Sequence, residues 1–114
     1  LPMKFLKFTL QPLVENAIYH GVKQKDSNGT IRIKGFSCED KIFIVVSDDG
    51  VGMLPEKAEL LLCADSVINK TSYGVNNIHR RIKLYFGPEY GLSIQSQPGI
   101  GTSVTVIIPK QKND

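Results

Sequence analysis

The 114-residue chain has only two cysteines, no long apolar run and no heavy excess of one charge. Each shortage excludes something. Cys38 and Cys63 lie far apart with no histidine at a ligand distance, so both read as reduced cytosolic thiols and not as a disulfide framework or a zinc site. No apolar stretch approaches the roughly 20 residues that cross a bilayer. The apolar flavour of Leu1 to Leu10 is broken by Lys4 and Lys7, unlike a secretory leader. The net charge of +3 is too mild to imply nucleic acid. Arg32, Lys34, Arg80 and Arg81 lack a recognised binding motif or stacking aromatics, so no nucleic-acid partner is expected. Repeats and low-complexity runs are absent.

What is present is a globular composition, 41% hydrophobic and 22% charged. The length fits one domain, and such a chain can bury roughly two-thirds of its unfolded surface. A core is therefore possible without metals or disulfides. A helix signal appears within ten residues of the start, so residues 1–114 are expected to be a single domain forming the C-terminal piece of a longer chain.

Hydrophobic spacing predicts the elements. Leu10, Leu13, Val14, Ala17 and Ile18 make one helical stripe, so a helix is expected from about Leu10 to His20. Thr9 can cap it, Pro12 is tolerable in its first turn, and Gly21 can end it. Ile31 and Ile33 alternate with Arg32 and Lys34, and Ile42, Ile44 and Val46 alternate after a turn at Glu39-Asp40, which predicts two strands. Pro55 to Cys63 reads as a short helix with Leu61 and Leu62 inward. Ala64 to Tyr73 reads as a loop, and Gly74 to Phe86 as a helix with Val75, Ile78, Ile82 and either Tyr85 or Phe86 as its stripe. A hairpin closes the chain. Leu92 and Ile94 lie on one strand, Val104, Val106 and Ile108 on the other, and Pro98 to Gly101 form the turn. Paired strands with segregated helices give an α+β two-layer sandwich: a mixed, mostly antiparallel sheet packed on one layer of helices.

Three groups of residues depart from a plain core pattern. Asp48 keeps the parity of Ile42, Ile44 and Val46, and Thr102 keeps that of Val104, Val106 and Ile108, so both point inward. A buried carboxylate without a partner costs several kcal/mol. Either a ligand supplies the donor or the protein does, the plain alternative being a carboxylate that pins the Gly50–Gly52 turn. On the first helix, Glu15, Asn16, Tyr19 and His20 gather off the apolar stripe, with Lys23 beyond. Amide oxygen and positive charge on one ridge suit phosphate-bound Mg²⁺, although an ordinary solvated face explains the same residues. Gly50, Gly52 and Gly74 are a third group, because glycine lets backbone approach a ligand and helix N-termini attract phosphate.

Taken together these segments resemble a known family. Leu13-Val14-Glu15-Asn16-Ala17-Ile18-Tyr19-His20-Gly21 resembles the N box of the ATP-binding domain of sensor histidine kinases, most of all its LytS and YesM branch. Asp48-Asp49-Gly50-Val51-Gly52-Met53 resembles the G1 box, and Tyr73-Gly74-Val75-Asn76-Asn77-Ile78 the G2 box. Gly99-Ile100-Gly101-Thr102, with the alternating apolars up to Pro109, resembles the closing hairpin. The resemblance covers nearly the whole chain, in order and spacing. It implies the Bergerat fold shared by gyrase, heat-shock chaperone, histidine kinase and MutL-type ATPases, with ATP and Mg²⁺ as cofactors.

It also implies roles. Asp48 accepts a hydrogen bond from the adenine amine, supported by Thr102 through water. Asn16 is the Mg²⁺ ligand, Glu15 orients or deprotonates the incoming group, and His20 lies near the phosphates with Lys23. Gly50 and Gly52 carry backbone past the nucleotide, which Met53 and Val75 also contact, and Gly74 opens a helix facing the phosphates. Ala64 to Tyr73 becomes the ATP lid. Asp49 and Ser72 depart from the family's usual Asn and Gly. The expected activity is transfer of the ATP γ-phosphoryl to a histidine on an upstream segment of the same or a partner subunit, with a response regulator downstream. His79, beside Arg80 and Arg81, reads as solvated and not as the acceptor. The implied setting is a cytoplasmic domain of a dimeric parent in the bacterial cell membrane. The alternatives are a non-catalytic nucleotide-sensing or docking module, or an anti-sigma-type serine kinase of the same fold. Against the latter, the position that family fills with a catalytic Glu is Pro12, which cannot act as a base.

Overall fold

The computed structural model describes residues 3–18, 29–63 and 73–110. The two predicted strand pairs form β1 (Ile31–Cys38) with β2 (Lys41–Asp48), and β3 (Gly91–Gln97) with β4 (Gly101–Pro109). The hairpins meet along β2 and β4, giving one four-stranded sheet in the order β1-β2-β4-β3. Each described pair is antiparallel, in keeping with the mostly antiparallel sheet expected. Three helices join them: α1 (Met3–Asn16), α2 (Pro55–Leu60) and α3 (Tyr73–Phe86). Among the described residues they pack chiefly over β2, β3 and β4, and β1 is an edge strand. Ile33 on this edge strand is 55% exposed. Among the described residues no helix is long and apolar enough to cross a membrane.

Strand parity sorts the side chains into rows across the sheet's inner face. Val46 pairs with Val104, and Val104 with Ile94; Ile44 pairs with Val106, and Val106 with Leu92. These rows meet Leu13 and Ala17 from the first helix and Val75, Ile78 and Ile82 from α3 in one buried cluster. Full burial of such a side chain stabilises by roughly 1.5–3 kcal/mol, so this cluster fixes the helix layer on the sheet. The alternative at the end of the α3 stripe is settled for Phe86, which packs against the core, while Tyr85 is 73% exposed. α2 is shorter than expected, ending at Leu60, and only its Ala58 is fully buried.

The first helix differs most from expectation. It begins at Met3, well before Leu10, so Thr9 is a buried interior residue and not the cap. Pro12 then sits in the helix interior. There it removes the N–H that would bond the carbonyl four residues earlier, and the helix continues past that lost bond. Ala17 and Ile18 follow α1 in a wider, π-type turn. The predicted end at His20 and Gly21, the loop from Ala64 through Ser72, and the tail beyond Lys110 lie outside the described residues.

Candidate functional site

The row at one end of the sheet is polar. Ile31 pairs with Asp48, Asp48 with Thr102, and Thr102 with Ser96. Above this row a cleft of about 210 Å³ opens between the sheet and the helices. Its walls are largely apolar, from Leu13, Ala17, Val46, Val75, Ile94 and Val104, and its polar lining comes from Asn16, Asp48, Lys57 and Thr102. A mostly apolar cleft with a few placed polar groups is the usual form of a small-molecule site.

Asp48 is half-buried at the end of β2. Its Oδ1 accepts a hydrogen bond from the Gly50 N–H at 2.8 Å. Burial raises its pKa above the ordinary carboxylate value; the N–H groups of Gly50 and Thr102 oppose the rise and the neighbouring Asp49 adds to it. The turn-pinning alternative is thus realised, and the same side chain still lines the cleft. Asp49 has a different task. Its Oδ1 accepts from the Thr30 N–H at 2.7 Å while its own N–H donates to the Thr30 carbonyl at 3.2 Å, tying the start of β1 to the end of β2.

The loop after Asp48 is held by the β3–β4 hairpin. The Gly99 N–H donates to the Val51 carbonyl at 2.7 Å, and the Met53 N–H donates to Ser96 Oγ at 2.9 Å. Gly52 has φ +67°, and a Cβ there would collide with the Gln97 carbonyl; one on Gly101, at φ +140°, would collide with the Asp48 carbonyl. These contacts give two of the glycines a further role. Gly52 is required by backbone packing against the hairpin before any ligand is considered, and Gly101 is required by its approach to Asp48 and not only by the turn.

The other predicted residues fall as follows. Asn16, Met53 and Val75 line the cleft. Gly50 is buried, and Gly74 lies in the first turn of α3. Glu15 is exposed and not part of the cleft wall. His20, Lys23 and Ser72 lie outside the described residues. His79 is not solvated as expected. Its Nδ1 accepts from the Leu92 N–H at 2.9 Å and its ring packs on Gly91. Burial lowers its pKa below the ordinary histidine value, and Lys83 lowers it further.

Three residues escaped the sequence reading. Ser96, 8% exposed, bonds Met53, Gly101 and Thr102. Asn76, 6% exposed, donates its side-chain amide to the Cys63 carbonyl and holds the chain after α2 against α3. Lys57 enters the cleft wall from α2. The parity of Ser96 with Leu92 and Ile94 was a usable signal for its inward direction.

One layer of helices over an antiparallel sheet, with a carboxylate in the wall of an apolar cleft, is the architecture expected of a Bergerat-type domain. The chain belongs to the histidine kinase-, DNA gyrase B- and HSP90-like ATPase family, whose sequence profile matches residues 3–112. It is 36% identical over 104 residues to the sensor histidine kinase YpdA of Escherichia coli strain K12, covering 90% of this chain and 17% of that protein. It is 35% identical over 106 residues to the sensor histidine kinase YesM of Bacillus subtilis strain 168, again 90% of this chain and 17% of that one. The fold matches the solved catalytic domain of the histidine kinase ThkA with a TM-score of 0.73 at 20% identity, over 94% of this chain and 68% of that chain. The domain is therefore of the ATP-binding catalytic type found in histidine kinases, and it spans only about a sixth of the length of the two sensor kinases it matches.

Proposed function

We propose that this domain binds Mg-ATP and transfers the γ-phosphoryl group to a histidine on an upstream segment of the same or a partner subunit, from which a response regulator receives it. The observation that carries this reading is the pairing of Asp48 with Thr102 in the wall of the apolar cleft. There the carboxylate accepts from the adenine amine and Thr102 supports the base through water. Gly50 and Gly52 carry backbone past the base, and Met53 and Val75 pack against it.

Asn16 lines the same cleft from α1. Among the described residues no three His, Cys, Asp or Glu side chains gather to cage a metal. One amide oxygen fits an ion that arrives on the nucleotide phosphates and keeps its waters, as Mg²⁺ does. Bound there, Mg²⁺ supplies charge neutralisation to the phosphates. Phosphoryl transfer depends chiefly on positioning and charge. The N–H groups of the first turn of α3, which contains Gly74, face the phosphates, Lys23 adds positive charge and His20 lies near the phosphates. Glu15, exposed beside Asn16, orients or deprotonates the incoming histidine. The parent protein is a dimer anchored in the bacterial membrane, with this domain in the cytoplasm.

Incubation with γ-labelled ATP tests the transfer step. The isolated chain should bind Mg-ATP and form no phosphohistidine. The full-length protein should become labelled, and Asn16→Ala should abolish that label. Acid-labile label on the isolated chain would overturn the assignment of the acceptor to another segment.

A further inference from the structure

Ser96 lies on the inner face of β3, 8% exposed, beside the polar end row. Its hydroxyl meets three partners. The Met53 N–H donates to Ser96 Oγ at 2.9 Å. The Gly101 carbonyl lies 3.0 Å from the same oxygen, and Thr102 Oγ1 lies 2.7 Å from it. A hydroxyl has one proton and two lone pairs. A carbonyl can only accept, so the contact between Ser96 and Gly101 needs the Ser96 proton; without it two oxygens would face each other lone pair to lone pair. That proton is therefore committed, and the contact with Thr102 must be carried by the Thr102 proton. Ser96 is then saturated, donating once and accepting twice.

The consequence reaches the cleft. Thr102, with its proton spent on Ser96, offers only lone pairs to whatever enters. Its cross-strand neighbour Asp48, when ionised, offers only lone pairs as well. We infer that Ser96 is a positioning residue that sets base specificity: by locking the Thr102 hydroxyl as an acceptor, it makes the polar end of the cleft complementary to a base edge bearing an amine and repellent to a 6-oxo edge. This rests on the proposed ATP site and deepens it. A ligand carbonyl facing this row finds no side-chain proton on either Asp48 or Thr102. Buried polar groups left unpaired in this way are what allow a site to reject an analogue of the same shape.

The test is the ratio of ATP to ITP affinity, measured by calorimetry on the full chain and on variants. ITP keeps the purine shape and replaces the amine by a carbonyl. In Ser96→Ala the Thr102 proton is freed. It can turn to a 6-oxo group or, with adenine bound, compete for Asp48, and both lower the ratio. The expected fall is roughly three- to tenfold, the worth of one neutral hydrogen bond. Ser96→Thr keeps the hydroxyl and should keep the wild-type ratio. A purely structural role for Ser96 predicts that ATP and ITP weaken together with the ratio unchanged, and that result would overturn the inference. If Ser96→Ala does not fold, Ser96→Cys replaces the hydroxyl by a weaker donor and acceptor and must also lower the ratio. Failure of the wild-type chain to bind ATP at all would instead overturn the nucleotide reading, and this inference with it.

Discussion

A carboxyl group whose pKa is raised by burial favours folding only when protonated. For Asp48 the folded value lies above the ordinary one, so its contribution is complete below the unfolded value of about 3.9 and is lost as pH rises through the raised value. At neutral pH its charge is a cost that a ligand donor can offset. Asp48→Asn keeps an oxygen for the Gly50 N–H and removes that charge, so the ligand-free variant should melt no lower than wild type at pH 7. The proposed recognition of adenine needs the ionised form. Adenosine, which avoids phosphate titration, should bind more weakly as pH is lowered from 7 toward the raised value; an affinity flat from pH 7 to 4 would remove the carboxylate from recognition. His79 has the opposite sign. Its value is lowered in the fold, so the stability present above about 6.5 is lost as pH falls from there toward the folded value. His79→Gln can still accept the Leu92 N–H and does not titrate. Between pH 7.5 and 5.5 wild type should lose more thermal stability than this variant, and equal losses would show that His79 titrates alike in the folded and unfolded states.

The elements differ in how openly the chain declares them. The Val75, Ile78, Ile82 stripe of α3 is legible because burial on one face demands a 3.6-residue period. The start of α1 is not, because Thr9 followed by Pro12 imitates a helix beginning, whereas the helix begins at Met3. Asp48 and Thr102 were legible as site residues because polar side chains kept the parity of a buried face. Ser96 keeps the parity of Leu92 and Ile94 but its role was not legible, since that role depends on Met53, brought from a loop far along the chain, as well as on Gly101 and Thr102 of its own hairpin. His79 misled for a similar reason: two adjacent arginines face out while the ring packs under Gly91. α2 breaks a local preference. Its N-cap is Leu54, 60% exposed and with no side-chain capping bond. Leu54→Ser supplies the missing acceptor and should stabilise the domain by roughly 0.5–2 kcal/mol, seen as a higher melting temperature. An unchanged or lower one would mean that the Leu54 side chain contributes packing its exposure does not reveal.

For the whole molecule, one device joins fold to function. Two antiparallel hairpins meet along β2 and β4, and their shared register brings Asp48 beside Thr102 at the end of a sheet whose other inner rows are apolar. The same rows that hold the helices in place therefore deliver a single polar edge to the cleft. Family membership accounts for the order of the motifs along the chain, and the register accounts for why residues 48 and 102, distant in sequence, line one cleft. The most direct test is calorimetric titration of Mg-ATP into the wild-type chain and Asp48→Asn. The wild type should bind ATP and bind GTP poorly, and the folded variant should lose about tenfold or more in ATP affinity, the worth of one charge-assisted hydrogen bond. Unchanged ATP affinity in a folded Asp48→Asn, or GTP bound as tightly as ATP by the wild type, would contradict the account.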